Sequence, residues 1–224
     1  MKLILFDLDG TILLSGGAGA RAVNRACKKI HGIENVMDGI FPDGKTDIAI
    51  LREIFKAMKR DFLIDEIDSL FREYLLFLKE EVANSLEYRV MPGIPELIKA
   101  LSEREDIILG IATGNIKEAA VIKLERSGVG HYFKFGGFGS DFENREELIR
   151  IAIERGKRFL NHERGLEGVF VIGDTPLDII HARAAGAKTV AVATGSYSVS
   201  DLEKYAPDYL FENFSDFESV LKIF

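Results

Sequence analysis

Short apolar runs that each stop at a small or acidic residue punctuate this chain: LILF (3–6), DIILGIAT (106–113), one within HYFKFGGFGS (131–140), GVFVIGD (168–174) and AKTVAVAT (187–194). Runs of this kind suit strands buried on both faces. Helical patterns lie between them: PELIKALSERE after Pro92-Gly93, IKEAAVIKLERSG stopping at Gly128, REELIRIAIERGKRFL, and PLDIIHARAAG stopping at Gly186. Strands alternating with helices predict an α/β fold, a Rossmann-like parallel sheet flanked by helices.

One segment breaks this rhythm. Between Ser15 and Arg89 there is no convincing strand pattern, and the spacing predicts helices over 18–31, 46–60 and 65–83. The second carries Ile48, Leu51, Ile54, Phe55 and Met58 on one face; the third carries Leu70, Phe71, Tyr74, Leu75, Leu78 and Val82. These stripes read as the core of a small helical bundle. The expected organisation is therefore an α/β core domain of residues 1–14 and 91–224, interrupted after its first strand by an all-helical domain of residues 15–90. Gly17-x-Gly19-x-x-Ala22 has dinucleotide-loop spacing but lies about ten residues beyond the first strand, where that motif must follow its strand directly. It reads as a hinge into the insert.

The formal charge is −7, which argues against nucleic acid or an anionic membrane as partner, since both need a basic face. No apolar run approaches the roughly 18 residues of a membrane span. The first residues carry one Lys and reach Asp7 at once, unlike a secretory signal. The single cysteine, Cys27, excludes an internal disulfide and reads as a core residue. His31, His131, His162 and His181 are scattered without zinc-ligand spacing. A cytoplasmic protein is expected.

In open parallel sheets, ligands bind beyond the carboxyl ends of the strands. Asp7 and Asp9 stand at the end of the first strand, Thr113-Gly114-Asn115 at the second, and Asp174 at the fourth, with Asp178 four residues later. Converging carboxylates raise one another's pKa. A hard cation such as Mg²⁺, which takes oxygen ligands and phosphate, removes the conflict. Asp178 also fits N3 of a capping box with Thr175 at the N-cap and Pro176 at N1. An acid there faces the strand end as well, so both roles stand. Singly each element is ambiguous; together, in this order, they point to a metal and a phosphate.

DLDGT (7–11), TGN (113–115) and GDTPLD (173–178) resemble the signature motifs of the haloacid dehalogenase-like hydrolases, with a spacing that covers the whole chain. The insert after the first motif resembles that family's helical cap domain. Within the superfamily the chain is most similar to phosphoglycolate phosphatase-like members, partly through GKTD (44–47). The resemblance implies that Asp7 is a nucleophile forming an aspartyl-phosphate. It implies that Asp9 protonates the leaving oxygen and then deprotonates water. Mg²⁺ would be held by Asp7, the Asp9 backbone carbonyl and Asp174, with Asp178 direct or one step removed. Thr113, Gly114 and Asn115 would bind phosphoryl oxygens.

The expected activity is hydrolysis of a small phosphorylated metabolite. Three alternatives stay open: a phosphomutase, a dehalogenase that uses Asp7 against carbon, and a phosphate-responsive module resembling a receiver domain. The chain departs from the family at one place. Where the family has a lysine before the fourth strand, this chain has Arg145 leading a helix, and that role is assigned to it, with Lys123 and Lys134 as alternatives. Lys45, in the GKTD turn, is the candidate contact for a second anionic group.

Overall fold

The structure, a computed structural model, describes residues 1–160 and 165–224; His162 lies outside the described residues. Six strands form one parallel sheet. In chain order they are β1 (Lys2–Phe6), β4 (Ile107–Thr113), β5 (Gly136–Phe138), β6 (Gly168–Gly173), β7 (Lys188–Val192) and β8 (Tyr209–Phe211). Across the sheet the order is β5-β4-β1-β6-β7-β8, so β1 lies centrally between β4 and β6. The fold is α/β, as the alternation predicts. The sequence reading did not anticipate β8, a half-buried edge strand whose pattern is only three residues long.

The strand period of two sorts β1 between two cores. Ile4 and Phe6 pack with Ile94, Leu97, Ile98 and Leu101 of α4 (Ile94–Ser102) on one face. Leu3 and Leu5 pack with Leu148, Ile149 and Ala152 of α6 (Arg145–Lys157) on the other. All four strand side chains are fully buried, each worth roughly 1.5–3 kcal/mol of burial free energy. Two further helices follow strands that reach the site: α5 (Lys117–Glu125) after β4 and α7 (Pro176–Ala184) after β6.

The segment without strand pattern is helical, as α1 (Ala18–His31), α2 (Asp47–Ala57) and α3 (Ile64–Asn84). Their buried faces form a core of their own, including Leu51, Ile54, Phe55, Leu70, Tyr74, Leu78 and Cys27, which Ile116 and Ala119 of the neighbouring segment join. The chain leaves and regains the sheet through two adjacent crossings. β2 (Leu13–Leu14) and β3 (Arg89–Val90) pair antiparallel, Leu13 opposite Val90 and Leu14 opposite Arg89. Two-residue strands carry no readable alternation, which is why the sequence does not announce this strap.

After the strap the chain turns at Pro92-Gly93 into α4. Gly93 has φ +79°, and a Cβ there would stand 1.7 Å from the Phe214 carbonyl oxygen. Gly93→Ala therefore meets both backbone strain and a collision with main chain. The expected cost is at least about 2 kcal/mol, a drop of about 4–8 °C in Tm for a chain of this size. Thermal melting checks this, and an unchanged Tm contradicts the close approach.

Candidate active site

The local period explains why a core strand ends in D-L-D. Asp7 still pairs with the sheet, its N–H donating to the Ile172 carbonyl at 2.8 Å. Leu8 turns the opposite way and is fully buried. Asp9 thus returns to the side of Asp7, and both line one cavity of about 440 Å³. The chain then folds back, with the Leu8 carbonyl accepting from the N–H groups of Ile12 at 2.9 Å and Leu13 at 3.1 Å. Gly10 stands at φ +83°, and any Cβ would lie 2.3 Å from Asp174 Oδ2. Only glycine lets the turn and the carboxylate of the neighbouring strand share that space.

Adjacency of β1 and β6 brings the acids together. Asp7, Asp174 and Asp178 are all buried, and each offers an oxygen within 4.8 Å of the others. Burial raises the Asp7 pKa to about 7, against the pull of Arg145 and with a further push from Asp178. Burial, followed by Asp178 and Asp7, raises Asp174 well above the usual carboxylate range. Asp174 Oδ1 accepts from the Thr11 hydroxyl at 3.0 Å. Asp178 closes the capping box on α7: its Oδ2 accepts from the Thr175 N–H at 3.0 Å and the Thr175 hydroxyl at 2.7 Å. Three buried oxygen donors whose charged forms repel are a donor set that fits a hard divalent cation.

Arg145 occupies the first residue of α6 and is 5% exposed. Its Nη2 lies 2.9 Å from Asp7 Oδ1 and makes a short charged hydrogen bond to Asp178 Oδ1. Burial pulls its pKa down, but Asp178 and Asp7 outweigh that and raise it. A surface pairing with Glu143 or Glu146 does not occur: Glu143 pairs with Arg52 at 2.7 Å, and Glu146 with Arg150 at 2.6 Å. Lys134 does not line this cavity.

Thr113, Gly114 and Asn115 stand at the end of β4 and line the same cavity. The Thr113 hydroxyl oxygen accepts from the Asn115 side-chain amide at 2.9 Å and the Asn115 N–H at 3.3 Å. The start of α5 itself is already occupied. Asp47, at the head of α2, accepts the Ile116 N–H at 2.8 Å, and its own N–H donates to the Gly114 carbonyl at 2.8 Å. The GKTD turn thus docks the helical insert on the sheet edge, a contact that Arg145 extends by donating to the Gly44 carbonyl at 3.2 Å. Lys45 lines the cavity, but its ammonium pairs with Glu53 at 2.7 Å. Its charge is therefore already matched within the insert.

Two groups take places at the site other than those the sequence reading assigned: Lys123, named there only as an alternative to Arg145, and Tyr74, named only as core. Lys123 of α5 is 5% exposed and its Nζ reaches Asp9 Oδ2 at 2.6 Å. The signal was present: Ile116, Ala119, Ala120, Lys123 and Leu124 form one apolar helical stripe with a lysine in it. Tyr74, read correctly as core, also lines the cavity. The remaining wall is largely apolar and comes from the insert, through Val23, Met37, Ile50, Leu51, Leu70 and Phe71.

Asp47 offers a clean pH test. Burial pushes its pKa up to about 6, against Lys123 and the Ile116 N–H. A raised folded-state pKa gives a contribution that is complete below the unfolded value and lost as pH rises through the folded one. Asp47→Asn keeps an acceptor for Ile116 and removes that titration. Relative to wild type, the variant should gain stability between about pH 4 and pH 6, on the order of 1–2 kcal/mol. Parallel melting curves across that range, with no relative gain, contradict the assignment.

Comparisons with known proteins agree with this geometry. The family model described as haloacid dehalogenase-like hydrolase matches residues 4–192. A protein named pyrophosphatase PpaX from Bacillus velezensis is 27% identical over 222 residues, covering 95% of this chain and 93% of its own. A phosphoglycolate phosphatase from Aquifex aeolicus is 26% identical over 218 residues, covering 96% and 94%. The crystal structure of a hydrolase from Pseudomonas syringae shares the fold, with TM-score 0.75, 21% identity, and coverage of 99% of this chain and 98% of that one. With its signature acids gathered at adjacent strand ends and the family match spanning most of its length, this chain is an enzyme of the haloacid dehalogenase-like hydrolase family.

Proposed function

We propose that this hydrolase is a Mg²⁺-dependent phosphatase acting on a small phosphorylated metabolite through an aspartyl-phosphate. The observation that carries the reading is Asp7, buried at a strand end, flanked by two further carboxylates and held by one guanidinium. The relatives named as phosphoglycolate phosphatase and pyrophosphatase support phosphate as the group transferred. In this reading residues 15–90 are a cap over a core of 1–14 and 91–224.

Asp7, the Asp9 backbone carbonyl and Asp174 would hold the ion, with Asp178 beside them. When bound, Mg²⁺ supplies positive charge to the phosphoryl oxygens and to Asp7. The protein's own residues do the rest. Asp7 attacks phosphorus, and the P–O bond to the leaving group breaks. Asp9 gives its proton to that leaving oxygen and later takes one from the water that attacks the aspartyl-phosphate. Arg145 pulls Asp7 toward its ionised form against the effect of burial, aims it, and offers a fixed cation to the charge that gathers in transfer. Thr113 and the Gly114 and Asn115 backbone face the phosphoryl oxygens. The apolar wall of the insert keeps water from competing at the leaving-group side. Lys45, despite its Glu53 partner, remains the cap cation closest in kind to a second-anion contact.

Turnover of 4-nitrophenyl phosphate should require Mg²⁺ and stop with excess chelator; full activity in chelator sinks the metal assignment. Asp7→Asn should abolish turnover, and Asp9→Asn should lose roughly 10²–10⁴-fold in kcat/KM, the usual range for acid–base groups.

Arg145→Ala should lose at least about 10²-fold in kcat/KM. It should also lower the melting temperature, because it leaves Asp7 and Asp178 buried without their cation, a loss of about 3–5 kcal/mol for a broken buried pair. Burial of Arg145 between two acids gives it a part in stability as well as in the chemistry. Arg145→Lys should recover part of both, since the charge returns without the planar fork. Activity unaffected by Arg145→Ala removes it from the chemistry.

A further inference from the structure

Lys123 is the buried cation that the reaction outlined above does not use. Its ammonium donates to Asp9 Oδ2 at 2.6 Å and to Asn115 Oδ1 at 2.7 Å. The Asn115 amide donates in turn to the same Asp9 Oδ2 at 2.8 Å. The three side chains form a closed ring of hydrogen bonds, and the ring is braced by the Asn115 amide on the Thr113 hydroxyl oxygen. A carboxyl oxygen has two lone pairs. At Asp9 Oδ2 both are taken by N–H donors, so that oxygen has no room for a proton. Oδ1 has no partner among the described residues, in a side chain that is 37% exposed and lines the cavity.

We propose that Lys123 is a positioning residue for Asp9. Together with Asn115 it clamps Oδ2, so that the proton Asp9 gives to the leaving oxygen, and later accepts from water, is carried on Oδ1. Only one oxygen then faces the reaction, and the carboxyl group cannot turn about its own axis. The lysine sits under α1, where a Cβ on Gly19 would lie 3.9 Å from both Lys123 Nζ and Tyr74 Oη, so the insert seals the clamp from above. This inference rests on the phosphatase reading, and specifically on Asp9 as its proton donor.

The test compares leaving groups. Expelling 4-nitrophenolate needs little help from an acid, whereas phenolate and alkoxide leaving groups need the proton. Measured as kcat/KM with saturating Mg²⁺, Lys123→Met should lose about 10²-fold on an alkyl phosphate, the scale of a misplaced catalytic group, and far less on 4-nitrophenyl phosphate. Asn115→Ala, which removes the other donor, should rank the substrates in the same order. Combined with Asp9→Asn, Lys123→Met should cost little more, because the clamp then has no proton to place.

Lys123→Gln, which keeps an uncharged donor, should show the same order with a smaller loss. It serves as the second variant should Lys123→Met melt near the assay temperature. An equal loss on every substrate, or a full further loss in the Asp9→Asn background, assigns Lys123 to the phosphate instead and overturns the proposal. Wild-type protein inactive on the whole series overturns the phosphatase reading and this inference with it. Active wild type with a uniform loss overturns the inference alone.

Discussion

Arg145, wedged between Asp7 and Asp178, is the interaction on which the site depends. Three buried carboxylates at one sheet edge carry more negative charge than a single guanidinium neutralises. The guanidinium lies against two of them. Among the described residues Asp174 has only the Thr11 hydroxyl as a hydrogen-bond donor, and its pKa rises well above the normal range, so the cluster is one cation short. A divalent ion would meet that deficit. The same arginine bonds the Gly44 carbonyl, so the charge arrangement of the sheet and the seating of the helical insert share one side chain.

Chemistry and shape come from different parts of the chain. The sheet side supplies Asp7, Asp9, Thr113 and Asp174 at the ends of three adjacent strands, and Asp178 from the first turn of α7. The insert supplies an apolar wall and the turn of residues 44–47, which meets the start of α5 through Asp47 and the strand ends through Gly44. The strap of β2 and β3 holds the two crossings side by side. The insert is also tied to α5: Ile116 and Ala119 join its core, and Arg126 donates to the Ser85 carbonyl at 2.9 Å.

Much of this was legible in the sequence because it depends on local period. LILF and GVFVIG read as strands, the stripe from Leu70 to Val82 reads as a buried helix face, and Thr175 with Asp178 reads as a capping box. Residues 209–211 did not, because three half-buried positions give no pattern to recognise. Lys45 drew attention as an uncommitted cation in a turn, and its pairing with Glu53 is invisible without knowing how α2 continues from that turn.

The sequence by itself determined the alternation of strands and helices, the place of the helical insert, and the acids that stand at strand ends. Each of these follows from neighbours a few residues apart. Only the tertiary structure decided which cation meets which acid. Lys123 reaches Asp9 across 114 residues of chain, and Arg145 reaches Asp178 across 33. Those pairings follow from strand order and helix packing, which bring side chains together at distances where charge and hydrogen bonding act strongly, and a linear pattern holds no record of them.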